Sequence, residues 1–286
     1  MAKVSDNTGK APASSMINQA YGQHDALGLP SVAFLAEAVH PFRLHLFDSL
    51  GSTNDKAAEM RRSGDLYAPA IVMARQQTAG RGRSGNRWFS NQGSLTLTYV
   101  LPIEESLLPT QLPLIVGLAV RNAAAELTGH ASIGLKWPND VVVDGRKLAG
   151  VLCERINGVD LVGIGLNVNV NPSETPPDLR YGITSLNILS GSPLDMGHTL
   201  VTLTRHLRQL VLTRSSHLFA TFVSQYRQFD ALLGQTLQVA SMGDPLIQGT
   251  CEGIDSDGRL LVRSNNGMLH RVIAGSVAWG SHLTPI

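Results

Sequence analysis

The chain has 286 residues, of which 43% are hydrophobic and 16% charged, and its formal net charge is +1. The length suits one large domain and one small one, and the near-zero charge excludes a global pull toward nucleic acid or anionic membrane. Two cysteines, Cys153 and Cys251, lie outside any C-x-x-C spacing, which argues against a disulfide framework or a zinc site and points to a reducing, cytoplasmic compartment.

No apolar run is long enough to span a membrane, and the N-terminus lacks the apolar core of a signal peptide. Residues 1–28 are rich in Ser, Asn, Gly, Ala and Gln without period, so a disordered tail is expected. Residues 31–40 form one short helix, ended by Pro41. That leaves no room for a winged-helix DNA reader before Phe42, and no DNA binding is expected. Residues 42–47 alternate as a strand, and Ser52, Thr53 or Asn54 caps a helix over 55–62 that Gly64 stops. An apolar strand over 70–74 feeds a glycine- and arginine-rich loop. A strand over 94–101 puts Leu95, Leu97, Tyr99 and Leu101 on one face, and a core helix over 109–127 ends at Gly129.

Short strands then follow at 133–135, 141–143, 147–154 and 159–170, with Asp144-Gly145 and Asn157-Gly158 as hairpin turns. This is a mixed or antiparallel sheet built from hairpins, not an alternating βαβ chain. A proline-rich loop over 172–181 precedes two helices. Leu200, Leu203, Leu207, Leu210 and Val211 mark one, and Leu218, Phe219, Phe222, Val223, Tyr226 and Phe229 mark the other; the aromatic stripe is core packing. After Gly234 short β-like runs alternate with turn signals, as in a small SH3-like barrel. The expected class is α+β: a tail and short helix over 1–40, a mixed sheet flanked by helices over 41–234, and a small β domain over 235–286.

The loop Gln77-Thr78-Ala79-Gly80-Arg81-Gly82-Arg83-Ser84-Gly85-Asn86-Arg87-Trp88 carries the chemistry. Glycine lets a backbone reach φ > 0 or come close to a ligand, and arginine offers a planar fork of donors to carboxylate or phosphate. The pattern predicts a mobile loop around an anionic small molecule; a solvated basic turn is the plain alternative. Gly80, Gly82 and Gly85 spell G-x-G-x-x-G, but no helix opens after Gly85, so a dinucleotide fold is excluded. The P-loop and protein-kinase signatures are absent as well.

Further polar clusters lie at strand ends and loops: Ser52 to Asn54, Lys136 to Asp140, and Lys147 with Gly150. Asn167 and Asn169 share a strand face beside Gly163 and Gly165, a pattern that fits a ligand approaching the backbone. The cations are Arg81, Arg83, Arg87, Lys136 and Lys147; the metal-compatible oxygens are Asn139, Asp140, Asn167 and Asn169. Cations with amide oxygens and no side-chain nucleophile suit transfer of a phosphorus-containing group by positioning and charge stabilisation. The residues alone lead to a nucleotide-dependent ligase or transferase.

Five motifs make the chain resemble a biotin protein ligase: Gly51 to Asn54; Gln77 to Gly85 with Trp88; Lys136-Trp137-Pro138-Asn139-Asp140-Val141; Lys147-Leu148-Ala149-Gly150-Val151-Leu152 with Glu154; and Gly163-Ile164-Gly165-Leu166-Asn167-Val168-Asn169. They stand in the family's order, and the small C-terminal domain matches too. The resemblance implies the mixed sheet of the biotin and lipoate ligases, related to class II aminoacyl-tRNA synthetases. It implies joining of biotin to ATP with Mg²⁺ to give biotinyl-5′-AMP, then transfer to one lysine of a biotin carboxyl carrier protein domain.

By motif position, Ser52, Thr53, Asn54, Gln77, Gly80, Arg81, Gly82, Arg83, Lys147, Gly150 and Gly163 would bind biotin. Arg81, Arg83, Arg87, Trp88, Lys136, Asn139 and Asn167 would bind ATP or the adenylate. Asn139 and Asn167 would serve Mg²⁺, and Lys147 and Arg83 the chemistry. Family members often carry arginine where this chain has Asn86, so Arg87 is the candidate substitute. A lipoate–protein ligase is the nearest rival and a non-enzymatic nucleic-acid-binding protein the more distant one. With no DNA-binding segment expected, the resemblance is to the monofunctional members.

Overall fold

The computed structural model describes residues 31–177, 182–211, 217–241 and 243–280. The expected tail, the end of the proline-rich loop (178–181) and the last six residues lie outside them. Helix α1 spans Val32–Ala38 and is capped by the Ser31 hydroxyl. A seven-stranded sheet follows, in the order β1-β2-β3-β7-β6-β5-β4. Its strands are β1 (Arg43–Leu50), β2 (Ala70–Gln77), β3 (Ser94–Pro102), β4 (Gly134–Lys136), β5 (Asp140–Val143), β6 (Arg146–Ile156) and β7 (Val159–Asn167). Only β1 and β2 pair in parallel; the other neighbours are antiparallel. The hairpins form where the turn chemistry places them. Asp144 and Gly145 have φ of 50° and 75°, and Asn157 and Gly158 have 45° and 79°, the left-handed pair of a two-residue turn.

Helix α2 (Thr53–Ser63) lies over one face of this sheet, where Ala57 packs with Val72, Val100 and Leu161. Ser52 caps it by accepting from Asp55 N, and Gly64 ends it at φ 86°. Helix α3 (Leu112–Thr128) covers the other face and is buried along most of its length. Full burial of one such leucine stabilises the fold by about 1.5–3 kcal/mol. Helices α4 (Leu186–Ser190), α5 (Met196–Val211) and α6 (His217–Phe229) complete that layer. A second sheet, in the order β11-β10-β9-β8-β12, is wholly antiparallel. Its strands are β8 (Thr236–Ala240), β9 (Ile247–Ile254), β10 (Leu260–Arg263), β11 (Leu269–Val272) and β12 (Ser276–Trp279). Its inner residues Leu237, Ile254 and Leu260 share one continuous core with α3 and the larger sheet. No helix among the described residues is long and apolar enough to cross a membrane.

Three expectations change. The third long helix starts at Leu112 rather than at 109, because Gln111 uses its side chain to accept from Leu108 N and to reach Ser256 O. The strand expected over 159–170 stops at Asn167. Beyond it the N–H groups of Val168 and Asn169 both donate to Gly93 O, and Gly93 has room for this contact only because it lacks a Cβ. The five-residue helix α4 was not expected, since one turn and a half shows no periodicity.

Candidate active site

A cavity of about 440 Å³ opens at one end of the large sheet. Its polar floor is the start of α2 and the end of β2. Gln77 Oε1 accepts from Thr53 N at 2.7 Å and from Thr53 Oγ1 at 3.1 Å. Thr98 Oγ1 lies 2.6 Å from Asn54 Oδ1 and 2.9 Å from Thr53 Oγ1. Asn54 Nδ2 donates to Glu154 Oε2 at 2.7 Å and to Leu152 O at 3.3 Å. Ser52, Thr53 and Asn54 are all buried. Thr53, Asn54 and Thr98 bond one another and Gln77, and the Thr53 and Asp55 N–H groups at the helix start are taken by Gln77 Oε1 and Ser52 Oγ, so the floor is largely formed without a ligand.

The glycine–arginine loop closes on itself as a small hairpin. Trp88 N donates to Gly80 O at 2.9 Å and Gly82 N to Asn86 O at 2.7 Å. Its tip is a single turn, Arg83–Gly85, with Ser84 at φ 53° and Gly85 at φ 77°. Gly85 thus supplies the left-handed residue, whereas Gly80 supplies space: a Cβ there would lie 2.6 Å from Trp88 O. The arginines diverge. Arg81 turns to the outer side, where it bonds Asp55 and, at 2.6 Å, Glu154 Oε1. The Glu154 hydrogen bond is the main reason its pKa is raised. Arg83 turns inward, with Nη1 3.4 Å from Asn139 Oδ1. Burial lowers its pKa, and Asp140 partly offsets that. Arg87 is exposed on the cavity rim.

The far wall comes from the β4–β5 turn and from β6 and β7. Lys147 Nζ pairs with Asp140 Oδ1 at 2.7 Å. The Lys147 backbone is held from three sides: its N–H donates to Gly182 O, and its carbonyl accepts from Thr184 N and from Asn167 Nδ2. This is not a lysine on a loose hairpin. Lys136 is buried, and that desolvation lowers its pKa, against the opposing pull of Asp140. Arg83, Lys136 and Lys147 therefore surround one carboxylate, and the net local charge is positive although the chain as a whole is nearly neutral. In such a desolvated place cations hold an anion far better than at the surface.

The glycines of β6 and β7 have a role beyond the expected one. Gly150 and Gly165 are register partners, and the Trp88 indole lies against them. A Cβ on Gly165 would sit 2.2 Å from that ring, and one on Gly163 would sit 2.3 Å from Asn54 Oδ1. Both glycines line the cavity and also make room for side chains of this chain. Lys147 Nζ is 5.6 Å from the Trp88 ring centroid, and the indole Nε1 is buried without a hydrogen-bond partner. Asn169 is not at the site. Its Nδ2 donates to Leu194 O and its Oδ1 accepts from Leu194 N, both at 2.9 Å, so it fastens the chain beyond β7.

The candidate residues line this cavity with two exceptions: Asn169, and Gly80, which forms the neck of the loop and lines a second hollow on its outer side with Glu154. The wall residues that the sequence reasoning missed include Ile183 and, at and just before the start of β12, Gly275, Ser276 and Val277. They carry no motif. It also missed Glu154 as the acceptor shared by Asn54 and Arg81; that residue stood in a quoted motif without a role.

Among the described residues no three His, Cys, Asp or Glu side chains cluster as a metal cage. The available donors are hard oxygens: one Asp140 carboxylate and the amides of Asn139 and Asn167. Asn139 Nδ2 donates to Val151 O at 2.7 Å, and Asn167 Nδ2 to Thr184 O at 3.1 Å, so the carbonyl ends are their acceptors. Such a set fits Mg²⁺ carried on phosphates, which asks for one or two protein oxygens, rather than a metal held by protein alone.

The chain is similar to known proteins in sequence and fold. The pattern of the Biotin/lipoate A/B protein ligase family matches residues 46–171, and that of the Biotin protein ligase C terminal domain matches residues 232–280. The chain is 33% identical over 230 residues to the biotin--[acetyl-CoA-carboxylase] ligase of Paracoccus denitrificans, covering 76% of this chain and 92% of that protein. It is 32% identical over 226 residues to the ligase of the same name from Mycobacterium tuberculosis, covering 76% and 82%. The structure of the biotin protein ligase from Aquifex aeolicus in complex with biotin and ATP superposes with a TM-score of 0.74 at 27% identity, covering 83% of this chain and 98% of that one. The two family patterns fall in order on the two sheets that wall the cavity, and the identity extends over most of each relative: the chain belongs to the biotin protein ligase family.

Proposed function

We propose that this enzyme activates biotin with ATP as biotinyl-5′-AMP and then passes the biotinyl group to a lysine of a biotin carboxyl carrier domain. The observation that carries the reading is the cavity itself, with a finished polar floor at one end and three cations around a single carboxylate at the other. Biotin's ring system, neutral and rich in hydrogen-bonding groups, suits the floor of Ser52, Thr53, Asn54 and Gln77. Leu152 and Ile164 supply apolar contact beside it.

In the first step a biotin carboxylate oxygen attacks the α-phosphorus of ATP, a C–O–P link forms and pyrophosphate leaves. Two anions must meet for this. Lys147, paired with Asp140 in the cavity wall, offsets the repulsion; Arg83 and Lys136 hold the polyphosphate. Such preorganised charge costs no reorganisation at the moment of reaction. Asn139, Asn167 and Asp140 would offer oxygens to Mg²⁺ carried on the nucleotide, which would supply further neutralisation of phosphate charge. In the second step the carrier lysine amine attacks the acyl carbon, an amide forms and AMP leaves. Between the steps the adenylate must be kept from water, which is the role of the 80–88 hairpin with Trp88 as its inner face. Residues 41–234 are read as the catalytic domain and 235–286 as its small partner.

The test is biotin-dependent exchange of pyrophosphate into ATP by purified protein, followed by labelling of a carrier domain at one lysine. Exchange driven by lipoate and not by biotin would overturn the reading in favour of the sister activity.

A further inference from the structure

Trp137 stands in the middle of the stretch whose neighbours Lys136, Asn139 and Asp140 wall the cavity, yet its indole serves another part of the molecule. It is among the largest fully buried side chains, and its Nε1 donates to Gly258 O at 3.0 Å. Gly258 belongs to the turn between β9 and β10. That turn is rigid: Asp255 Oδ1 accepts from the N–H groups of Asp257 and Arg259, and the Arg259 guanidinium bonds both aspartates at 2.7 Å. It presses on α3, since a Cβ on Gly258 would sit 2.8 Å from Leu114 Cδ1. Gln111 Nε2 adds a second tie to Ser256 O at 3.3 Å.

The same sheet supplies Gly275, Ser276 and Val277 to the cavity wall. These residues open β12, which pairs with β8, which pairs with β9, the strand that runs into the 255–258 turn. Hydrogen-bonded strands move together, so where the turn is seated, the wall is placed. We propose that Trp137 is a positioning residue for the nucleotide: its hydrogen bond to Gly258 sets the small β sheet in register and so places the 275–277 wall against the end of the cavity that takes ATP. The inference rests on the assignment of that end to ATP. Lys136, Pro138 and Asn139 flank Trp137 in the chain, so one five-residue stretch carries a cavity cation and the tie to the sheet that supplies the 275–277 wall. The biotin floor, built from α2, β2 and β3, has no share in the tie.

The test uses the full chain with Trp137→Phe, which keeps an aromatic ring and removes the N–H, and Gln111→Ala, which loosens the same seat from a residue outside the cavity. The readouts are separate KM values for ATP and biotin in pyrophosphate exchange, and amide hydrogen exchange over 255–258 and 275–279. Trp137→Phe is expected to raise the KM for ATP about five- to tenfold, the scale of one hydrogen bond. The KM for biotin should stay within about twofold, with faster amide exchange in both segments. Gln111→Ala should shift the same quantities in the same direction by less. A lowered Tm with both KM values unchanged, or an equal rise in both, would reduce Trp137 to packing and overturn the proposal. Absence of biotin-dependent exchange in the unmutated protein would instead strike at the proposed function, while the hydrogen-exchange arm would still report whether the tie seats the wall.

Discussion

The two ends of the cavity are held in different ways. The floor is formed by the buried Thr53, Asn54 and Thr98 with the half-buried Gln77, every side chain bonded to another at 2.6–3.1 Å. The 80–88 hairpin is mostly exposed, closed by three backbone hydrogen bonds, and held to the body by the Trp88 indole against Gly150 and Gly165 and, at its outer side, by Arg81 on Asp55 and Glu154. Those ion pairs are roughly two-fifths exposed on the arginine side, and such pairs contribute only about 0.2–1 kcal/mol each. Orphaning a group in the floor costs about 1–3 kcal/mol. The difference teaches a division of labour. On the proposed assignment, recognition of biotin would be built in advance, where rigidity gives specificity, and enclosure of the charged intermediate would be left to the more exposed segment.

The largest expected effect lies where the two ends meet. Lys147→Ala should cut adenylate formation by about two to three powers of ten, the scale of one lost charge donor. The fold should survive, because the backbone bonds of Lys147 to Gly182, Thr184 and Asn167 do not involve its side chain. Exchange kinetics together with a melting curve check this; wild-type rates in a folded variant would remove Lys147 from the chemistry.

On the loop side, Arg83→Gly should separate the half-reactions. It removes a charged partner of the adenylate phosphate, worth about 1.5–3 kcal/mol, and adds backbone entropy to be lost on closure. The intermediate should escape about ten- to a hundredfold faster and label bystander proteins such as albumin, with little change in Tm. An unchanged off-rate and labelling confined to the carrier domain would mean the hairpin is not a lid.

The floor should respond in the opposite manner. In Gly163→Ala the new Cβ meets Asn54 Oδ1, and Asn54 cannot yield because Leu152, Glu154 and Thr98 hold it. Stability should fall by about 1–3 kcal/mol and the KM for biotin should rise, while retention of the adenylate relative to biotin stays as in wild type. Thermal melts beside biotin titrations distinguish this from a loop defect.

The smallest effect probes the bond between the regions. Glu154→Gln keeps an acceptor for Asn54 but removes the charge that Arg81 binds. Proteolytic nicking within 80–88 should increase a few-fold and lose its salt dependence, with stability changed by less than about 1 kcal/mol. A large loss of stability would show that floor and loop form one unit.

Much of the site was legible because its signals are local. Asp144-Gly145 and Asn157-Gly158 fold as hairpins on their own backbone preferences, and Gly64 and Gly129 end helices by the same left-handed geometry. Those turns fix which strands are neighbours, and that alone brings Lys147, Gly150 and Asn167 together. The spacing of Gly163, Gly165, Asn167 and Asn169 was a less complete guide for the complementary reason: Asn169 lies away from the cavity, and the glycines also make room for Asn54 and Trp88. Whether a glycine leaves space for a ligand, for Asn54 or for Trp88 depends on segments about 75 to 110 residues away in the chain.

By itself, then, the sequence determined the class of fold, the order of its hairpins and the set of cations and amides available to a nucleotide, because turn geometry, strand alternation and side-chain chemistry are properties of a few adjacent residues. Only the tertiary structure decided that Arg81 faces outward while Arg83 faces inward, that Asn169 fastens Leu194, and that the start of β12 closes the wall. Neighbouring residues on one loop can be sent to opposite sides by partners such as Glu154 and Asn139, and such pairings are settled by long-range packing and charge, which no local pattern encodes.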